Sequence, residues 1–261
     1  MENEPVKTVL GGHAAFLYTQ TDSTNTRLKR LAMFGAAHGT LAVAETQTAG
    51  RGRFDRKWLS RPGMGAWFSM LVRPDENELS AEKTPGLVFV AALAMAEALN
   101  AAAPDSVRVK WPNDLVIHGK KICGIMCEMN AANGFLSWAV VGIGVNLIGR
   151  DFPPELPWAG SFESETDVRL APTDVISAFV KRFDDWYLTW KTHGLSPVLS
   201  ALSGISATLS KRVRVTDADG RQTEGTALRF AENGALVVDV DGKERTFLAG
   251  DVSVRGMMDY V

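Results

Sequence analysis

Four cationic side chains crowd one short, glycine-containing stretch of the sequence, TAGRGRFDRKW at residues 48–58. They are Arg51, Arg53, Arg56 and Lys57. Glycines let backbone N–H groups approach an anion closely, and guanidinium groups add two-pronged hydrogen bonds to a carboxylate or a phosphate. Because like charges in this loop repel one another, we expect the loop to be mobile until an anion binds. The residue types predict an anion-binding loop, although a solvated turn is also consistent with this stretch alone.

A second cationic segment, KWPNDLVIHGKKICG, begins at Lys110 and carries two further lysines beyond Asp114. Those lysines, Lys120 and Lys121, adjoin a predicted hairpin turn at residues 118–120. Taken by itself, the segment is also consistent with an ordinary hairpin whose lysines are solvated. Neither segment contains a GxxxxGKS or GxxxxGKT phosphate loop, and GIGVNL lacks the third glycine of a dinucleotide fingerprint. A nucleotide bound here would be held by a different arrangement.

The composition limits what these cations can bind. A chain of 261 residues is long enough for one large domain and a small one. Its formal net charge is −2, so positive charge does not cover the surface as it does in a general nucleic-acid binder. The cationic stretches are therefore local features, which favours a small anion as their target.

Several features favour a cytoplasmic protein with no membrane partner. Cys123 and Cys127 lie four residues apart in a predicted strand, so both side chains are expected on one face. Two buried thiols are the favoured interpretation, with a zinc site or a disulfide as alternatives. The first residues lack the layout of a signal peptide. The apolar run at residues 86–103 includes Glu97 and is rich in alanine, which predicts a buried helix rather than a membrane span.

The cationic segments must be positioned by a mixture of helices and strands, so the predicted class is α+β. A turn at residues 22–24 is expected to cap a helix that ends at Gly35. Apolar residues at steps of three and four predict a long helix over residues 173–194. Residues 150–172 contain many Pro, Glu and Ser residues without a period, so they are interpreted as a surface loop.

The last part of the chain has a different pattern. From Ser206 to Val254, short β-forming runs alternate with turns. The turns fall at Asp219-Gly220, Asn233-Gly234 and Asp241-Gly242. Four or five strands in so short a stretch predict a small β-barrel.

Four sequence blocks occur in the order and spacing of the biotin protein ligases. They are DSTN at 22–25, ETQTAGRGRFDRKW at 45–58, KWPNDLVIHGKKICGI at 110–125 and GIGVNL at 142–147. The chain thus resembles the members of this family that lack an N-terminal winged-helix DNA-binding domain. The resemblance implies a mixed-sheet catalytic domain like that of the biotin and lipoate ligases, over residues 1–205, followed by an SH3-like β-barrel domain over residues 206–261.

The resemblance also implies a reaction. Members of the family use Mg²⁺ and ATP to activate biotin as biotinyl-5′-AMP, and then transfer biotin to one lysine of a biotin carboxyl carrier protein. No DNA partner is expected, and a homodimer, which is common among bacterial members, is left open. The competing interpretations are a lipoate ligase or octanoyltransferase, a nucleic-acid-binding module and a biotin-binding protein without catalysis.

Residues of the four blocks receive roles from this resemblance. Catalytic roles fall to Arg53, Lys121 and Asp114, and Asp114 is expected to receive or orient the proton of the carrier lysine. Biotin contacts are expected from Ser23, Thr24, Asn25, Gln47, Arg51, Gly52, Arg53 and Lys121. Nucleotide contacts are expected from Arg51, Arg53, Arg56, Trp58, Lys110, Asn113, Lys121 and Asn146. The sequence does not indicate which residues bind Mg²⁺.

One departure from the family pattern lies in the cationic loop. Many members carry GRGRRGR, whereas this chain has GRGRFDR, with Phe54 and Asp55 in place of a basic residue and a glycine. Asp55 restricts the backbone and adds a negative charge beside the anion site. We therefore expect weaker ligand binding or a different loop fold, with activity retained.

Overall fold

The computed structural model describes residues 4–217, 219–249, 252–256 and 260, and within them it leaves out the side chain of Asp55. The expectation about the Asp55 charge therefore lies outside the described part of the chain. The β-structure consists of an eight-stranded sheet and a five-stranded sheet.

The larger sheet is mixed. Its strands are β1 (Val6–Leu10), β2 (His13–Thr21), β3 (Leu41–Gln47), β4 (Gly65–Val72), β5 (Arg108–Lys110), β6 (Asp114–Ile117), β7 (Lys120–Ala132) and β8 (Phe135–Asn146). They lie side by side in the order β1-β2-β3-β4-β8-β7-β6-β5. Strands β2 and β3 pair in parallel, and the other neighbours pair antiparallel.

Helices cover both faces of this sheet. They are α1 (Thr24–Met33), α2 (Gly86–Asn100), α3 (Phe162–Thr166), α4 (Pro172–His193) and α5 (Ser196–Gly204). On one face, Leu28 of α1 joins Leu71 and Val140 of the sheet in a small apolar cluster. Successive side chains of a strand point to opposite faces, so the adjacent residues Met70 and Val141 lie on the other face, in the large core with α2, α4 and α5.

The smaller sheet is antiparallel and forms the C-terminal module. Its strands are β9 (Arg212–Thr216), β10 (Gln222–Phe230), β11 (Leu236–Val240), β12 (Lys243–Phe247) and β13 (Ser253–Gly256). They lie in the order β12-β11-β10-β9-β13, and each predicted turn falls between two of them. The α+β class with a five-stranded C-terminal module is thereby confirmed, while the domain boundary at residue 205 stays a prediction.

Most helix predictions are confirmed, and one loop prediction is wrong in part. Helices α1 and α4 form where the periodic patterns place them, and the apolar run at 86–103 forms the buried helix α2. The predicted loop at 150–172 contains α3, which begins because the Ser161 hydroxyl accepts the backbone N–H of Ser164 at 3.0 Å. Such a cap acts locally and needs no apolar period. Among the described residues, no helix is long and apolar enough to cross a membrane.

Both cysteine thiols are free, and Cys123 is buried whereas Cys127 is half-buried. Burial raises the pKa of Cys127 to about 12, and it raises the pKa of Cys123 further. Because the thiolate is the reactive form, both side chains are inert packing groups at neutral pH.

Two helical glycines offer a matched test of the core. A Cβ added at Gly86 would lie 2.8 Å from Cζ2 of Trp190, whereas a Cβ at Gly204 would meet no atom within 4 Å. We expect Gly86→Ala to lower the free energy of unfolding by about 1–3 kcal/mol through overpacking. Gly204→Ala should leave it unchanged or raise it by up to about 1 kcal/mol through helix propensity. Urea titration measures both, and equal effects would contradict the packing of α2 against α4.

Candidate functional site

One cavity of about 420 Å³ lies on the α1 face of the larger sheet and extends to the C-terminal module. All residues predicted to contact a ligand or to act in catalysis line it. They are Ser23, Thr24, Asn25, Gln47, Arg51, Gly52, Arg53, Arg56, Trp58, Lys110, Asn113, Asp114, Lys121 and Asn146. The four sequence blocks therefore meet at one place in the fold.

The floor of the cavity is a patch of sheet where glycines replace apolar side chains. Across β4 and β8, Leu71 pairs with Val140 beneath α1, but the next pairs on the same face are Ser69 with Gly142 and Trp67 with Gly144. A Cβ at Gly142 would lie 2.1 Å from Asn25 Oδ1, and a Cβ at Gly144 would lie 2.4 Å from Trp58 Nε1. The glycines thus let Asn25 and Trp58 lie directly on the sheet, a role that the alternating GIG pattern could have indicated.

Neutral polar groups form one side of the cavity. Gln47 Oε1 accepts hydrogen bonds from the backbone N–H of Thr24 at 2.9 Å and from its hydroxyl at 3.2 Å. Gln47 Nε2 donates to the Ser60 hydroxyl at 2.9 Å. The Ser69 hydroxyl lies 2.7 Å from Thr24 Oγ1 and 2.6 Å from Asn25 Oδ1. This network fixes the start of α1 against the sheet.

The start of α1 corrects the predicted helix cap. Ser23 occupies the N-cap position as expected, but its side chain makes no capping hydrogen bond. Gln47, distant in sequence, accepts the N–H of Thr24, one of the first-turn N–H groups that lack a partner within the helix. The Ser23 hydroxyl is therefore not committed to the helix and lines the cavity.

Glu128, which lies outside the predicted site residues, supports this polar side. Its carboxylate accepts a hydrogen bond from Asn25 Nδ2 at 2.8 Å and forms an ion pair with Lys29 Nζ at 2.6 Å. Arg51 Nη2 lies 3.6 Å from the same carboxylate. Burial alone would raise the pKa of Glu128, but the hydrogen bonds from Lys29 and Asn25 outweigh burial and lower it. Glu128 thus stays ionised and holds Arg51 close to α1.

The cationic loop is tied to the C-terminal module through Arg53. Its guanidinium donates to Asn113 Oδ1 at 3.1 Å, to the Val252 carbonyl at 3.0 Å and to the Ala249 carbonyl. It also lies 4.8 Å from the ring centre of Phe54, whose φ of 56° is left-handed. The expected mobility of the loop without an anion stays a prediction.

A cluster of charges lies where β5, β6 and β7 meet. Lys110 pairs with Asp114 across β5 and β6, and Asp114 Oδ1 forms an ion pair with Lys121 Nζ at 2.6 Å. Burial would raise the pKa of Asp114, but Lys121 and Lys110 outweigh burial and hold it below its ordinary value. Burial lowers the pKa of Lys110 from its ordinary 10.5 to about 8, since only 5% of the residue is exposed. Lys121 therefore forms an ion pair with this carboxylate, and Lys110 interacts with it electrostatically.

Three aromatic side chains border this cluster. Trp58 lies under Lys121, whose Nζ is 5.4 Å from its ring centre. Tyr260 donates a hydrogen bond from its hydroxyl to Asp114 Oδ2, and its ring stacks on Trp158 with 6.0 Å between centres. Trp158 and Tyr260 belong to no motif, so sequence reasoning missed them.

Two points remain for the site: the contacts of Asn146 and whether the protein has residues that could bind a metal ion. Asn146 Nδ2 donates to the Gly160 carbonyl at 3.0 Å, which holds the end of β8 against the segment before α3. Within the described ranges, no group of three or more His, Cys, Asp or Glu residues could hold a metal ion. Asp114 is engaged by Lys121 and Tyr260, so we assign no protein site to Mg²⁺.

Comparison with known proteins relates both parts of the chain to one family. The Biotin/lipoate A/B protein ligase family model matches residues 17–146, and the Biotin protein ligase C terminal domain model matches residues 208–255. The Bifunctional ligase/repressor BirA of Bacillus spizizenii is 32% identical over 252 residues, which cover 95% of this chain and 76% of that protein. The Biotin--[acetyl-CoA-carboxylase] ligase of Paracoccus denitrificans is 30% identical over 246 residues, which cover 92% and 100% respectively. The solved structure of the biotin protein ligase from Aquifex aeolicus in complex with biotin and ATP matches with a TM-score of 0.80 at 27% identity, covering 93% of this chain and 98% of that one.

The two loop glycines give a second matched test. A Cβ at Gly50 would lie 2.6 Å from the Trp58 carbonyl oxygen, whereas a Cβ at Gly52 would find its nearest atom at 3.6 Å. We expect Gly50→Ala to open the loop at a cost of about 1–3 kcal/mol, which raises the open population about 5-fold or more. Trypsin should then cleave the loop faster in Gly50→Ala than in Gly52→Ala. Equal cleavage rates would contradict the close approach of Gly50 to Trp58.

The buried Lys110 predicts how stability depends on pH. Its folded pKa of about 8 is lower than its ordinary 10.5, so between these values the unfolded chain binds more protons and stability rises with pH. The charged lysine costs on the order of 3 kcal/mol below pH 8. Lys110→Met removes this cost, so we expect the variant to be more stable than the parent at pH 7 and the difference to shrink toward pH 10. Urea unfolding at several pH values measures it, and a difference independent of pH would contradict the burial of the charge.

Proposed function

The chain belongs to the biotin/lipoate A/B protein ligase family, and from this membership we propose that it is an ATP-dependent biotin protein ligase. In the first step a carboxylate oxygen of biotin attacks the α-phosphorus of ATP, and the bond to pyrophosphate breaks. In the second step the amine of a carrier-protein lysine attacks the acyl carbon of biotinyl-5′-AMP and releases AMP. The acceptor is a biotin carboxyl carrier protein, in keeping with the acetyl-CoA-carboxylase ligase named among the relatives.

The observation that carries the proposal is the lining of one cavity by a group of cations and a row of neutral polar groups. Arg51, Arg53, Lys110 and Lys121 line the same cavity as Ser23, Thr24, Asn25 and Gln47. The first step forces a carboxylate against a polyphosphate, and at an effective dielectric of about 20 each pair of like charges opposes approach by roughly 4 kcal/mol at 4 Å. Fixed cations offset this repulsion and stabilise the charge that develops in the transition state. Mg²⁺ enters with ATP as part of the substrate.

The neutral polar side suits the ureido ring of biotin. That ring carries N–H donors and a carbonyl acceptor, which would be costly to bury without partners. The Ser23 hydroxyl is not used to cap α1, and the Thr24 hydroxyl is fixed by Gln47 and Ser69. Prepositioned groups bind with a smaller loss of entropy than mobile ones.

The second step requires a neutral amine, because a lysine with a pKa of about 10.4 is almost fully protonated at neutral pH. Asp114 is the proton acceptor that the sequence predicts. In this structure both of its oxygens are engaged, one by Lys121 and the other by Tyr260, and its pKa is lowered. The lowered pKa makes Asp114 a weak base, and its contacts with Lys121 and Tyr260 indicate that in the described conformation the carboxylate acts mainly to hold Lys121.

The proposed function extends to the partners of the protein and to its location in the cell. The net charge of −2 supports an enzyme that acts without DNA. Free thiols at Cys123 and Cys127 support a reducing, cytoplasmic location. Strands β1 and β5 form the two edges of the larger sheet, and a homodimer through such an edge stays a prediction.

Incubation with biotin, Mg²⁺-ATP and a biotin carboxyl carrier domain tests the function, with mass spectrometry of the carrier as the readout. We expect one biotin on one lysine. Adenylate without carrier modification would show that only the first step is catalysed. Lipoyl or octanoyl transfer in place of biotin would replace the proposal by one of the related acyl transferases.

Arg53→Gly tests how the loop retains the intermediate. The substitution removes the hydrogen bonds to Asn113 and to the Ala249 and Val252 carbonyls, at about 1.5–3 kcal/mol for a charged donor. We expect biotinyl-5′-AMP to escape about 10- to 100-fold faster and to label the lysines of a bystander protein.

The control for this experiment is Arg221→Gly, since Arg221 is exposed in a turn of the C-terminal module and does not line the cavity. It should hold the adenylate as the parent does. If Arg53→Gly also retains the intermediate as tightly as the parent, Arg53 has been given the wrong role.

A further inference from the structure

Tyr260 lies beyond the last strand of the C-terminal module, yet it contacts three separate elements of the catalytic site. Its hydroxyl donates to Asp114 Oδ2 at the start of β6. Its ring lies over the ammonium of Lys110 on β5, with 3.8 Å from Nζ to the ring centre. The ring also stacks in parallel on Trp158, with an interplanar angle of 8°. A side chain fixed by a hydrogen bond, a cation–π contact and a stack is a structured part of the cavity wall.

We propose that Tyr260 is a positioning residue for the reaction: its hydroxyl orients the carboxylate that holds Lys121, and its ring shields the Lys110 ammonium from water. The proposal rests on the proposed ligase function. It means that the end of the C-terminal module completes the charge cluster that meets the phosphate.

The hydroxyl acts through Asp114. A carboxylate can rotate about its terminal bond, and Lys121 alone contacts only Oδ1, at 2.6 Å. The second contact at Oδ2 leaves the carboxylate one orientation, which in turn fixes Lys121 Nζ. Burial and the neighbouring Asp114 raise the pKa of Tyr260, so the phenol keeps its proton and remains a donor over the whole range in which enzymes work.

The ring acts through Lys110. Cations near an aromatic face are attracted by the ring quadrupole, and the ring excludes water from the same side. Charges that face Lys110 come from each surrounding element: Asp114 on β6, Lys121 on β7, Arg255 on β13 and Arg56 on the cationic loop. Burial outweighs the attraction of Asp114 and lowers the pKa of Lys110 to about 8. A poorly hydrated cation attracts a phosphate more strongly than a hydrated one.

This arrangement predicts a specific pH dependence. Below pH 8 Lys110 is charged and attracts ATP, and above pH 8 the free enzyme loses that charge. Since kcat/KM reports the titration of the free enzyme, kcat/KM for ATP in adenylate formation should fall as the pH rises through about 8. Removing the ring takes away its attraction for the cation but also admits water to Lys110. Because burial is the largest cause of the lowered pKa, the pKa and the fall in kcat/KM should move to higher pH.

Two substitutions separate the two roles of Tyr260. Tyr260→Phe keeps the ring and removes the hydroxyl, so we expect the Lys110 pKa to stay near that of the parent while adenylate formation slows about 3- to 10-fold. Tyr260→Ala removes both, so the Lys110 pKa should rise by at least about one unit, and the pH profile should move with it. Leu228→Ala is the control, because Leu228 is exposed on the same module and does not line the cavity.

Two quantities are measured: the rate of adenylate formation as a function of pH, and the pKa of Lys110. NMR of isotope-labelled lysines gives the pKa. The Lys110 signal is assigned by its absence from Lys110→Met. A Lys110 pKa that is the same in Tyr260→Ala and the parent overturns the proposal, as does a titration shift of equal size in Tyr260→Phe. A parent that forms no adenylate would instead overturn the proposed function, and the NMR titration would still decide whether Tyr260 shields Lys110.

Discussion

Two ammonium groups lie near a single buried carboxylate in the cavity, one of them in an ion pair with it, and this excess of positive charge constrains the surrounding structure. Lys110 and Lys121 face Asp114, and both Lys110 and Asp114 are less than a tenth exposed. Charges out of water cost free energy unless they are paired, so the free protein carries a local instability that an anion relieves. This cluster is the part of the cavity to which the proposed function assigns a phosphate. The two lysines stay close to each other only if the backbone that carries them is rigid. The hydrogen-bonded strands β5, β6 and β7 provide that rigid backbone.

On the sheet face beside this cluster, glycines must take the place of larger side chains at several positions. A ligand that meets the buried cations needs room, and so do the Trp58 ring and the Asn25 amide that lie on the sheet. Gly124 and Gly144 pair directly across β7 and β8, and Gly142 follows on the same face. Two residues farther along β8, Val140 returns to an apolar contact with α1. Residues on one face of β8 therefore form apolar core at Val140 and the floor of the cavity at Gly142 and Gly144. The change from core to floor lies beside the start of α1.

The sequence predicts the charged side chains of the site and the turns of the fold. It does not predict the residues whose contacts form only when distant segments fold together. Arginine, lysine and glycine residues clustered in short blocks predict an anion site, because the groups that bind an anion are close together in the sequence. Glu128 holds Arg51 from β7, outside the four sequence blocks, and Gln47 accepts the first N–H of α1 from more than 20 residues away. Tyr260 meets Asp114 across 146 positions of the chain. No periodic or local pattern encodes such contacts, because they depend on register and on how one module packs on another.

The C-terminal module is part of the site rather than an appendage to it. Trp111, next to Lys110, is buried and donates from its indole to the Gly234 carbonyl at 2.9 Å, and its backbone N–H donates to the Thr208 hydroxyl at 2.9 Å. Arg53 bonds two carbonyls of the module from the other side of the cavity. The lysine cluster and the cationic loop are therefore each fastened to the same small sheet. Because both contacts reach the same sheet, a shift of that sheet would move Lys110 and Arg53 together, although every sequence block that carries them precedes residue 150.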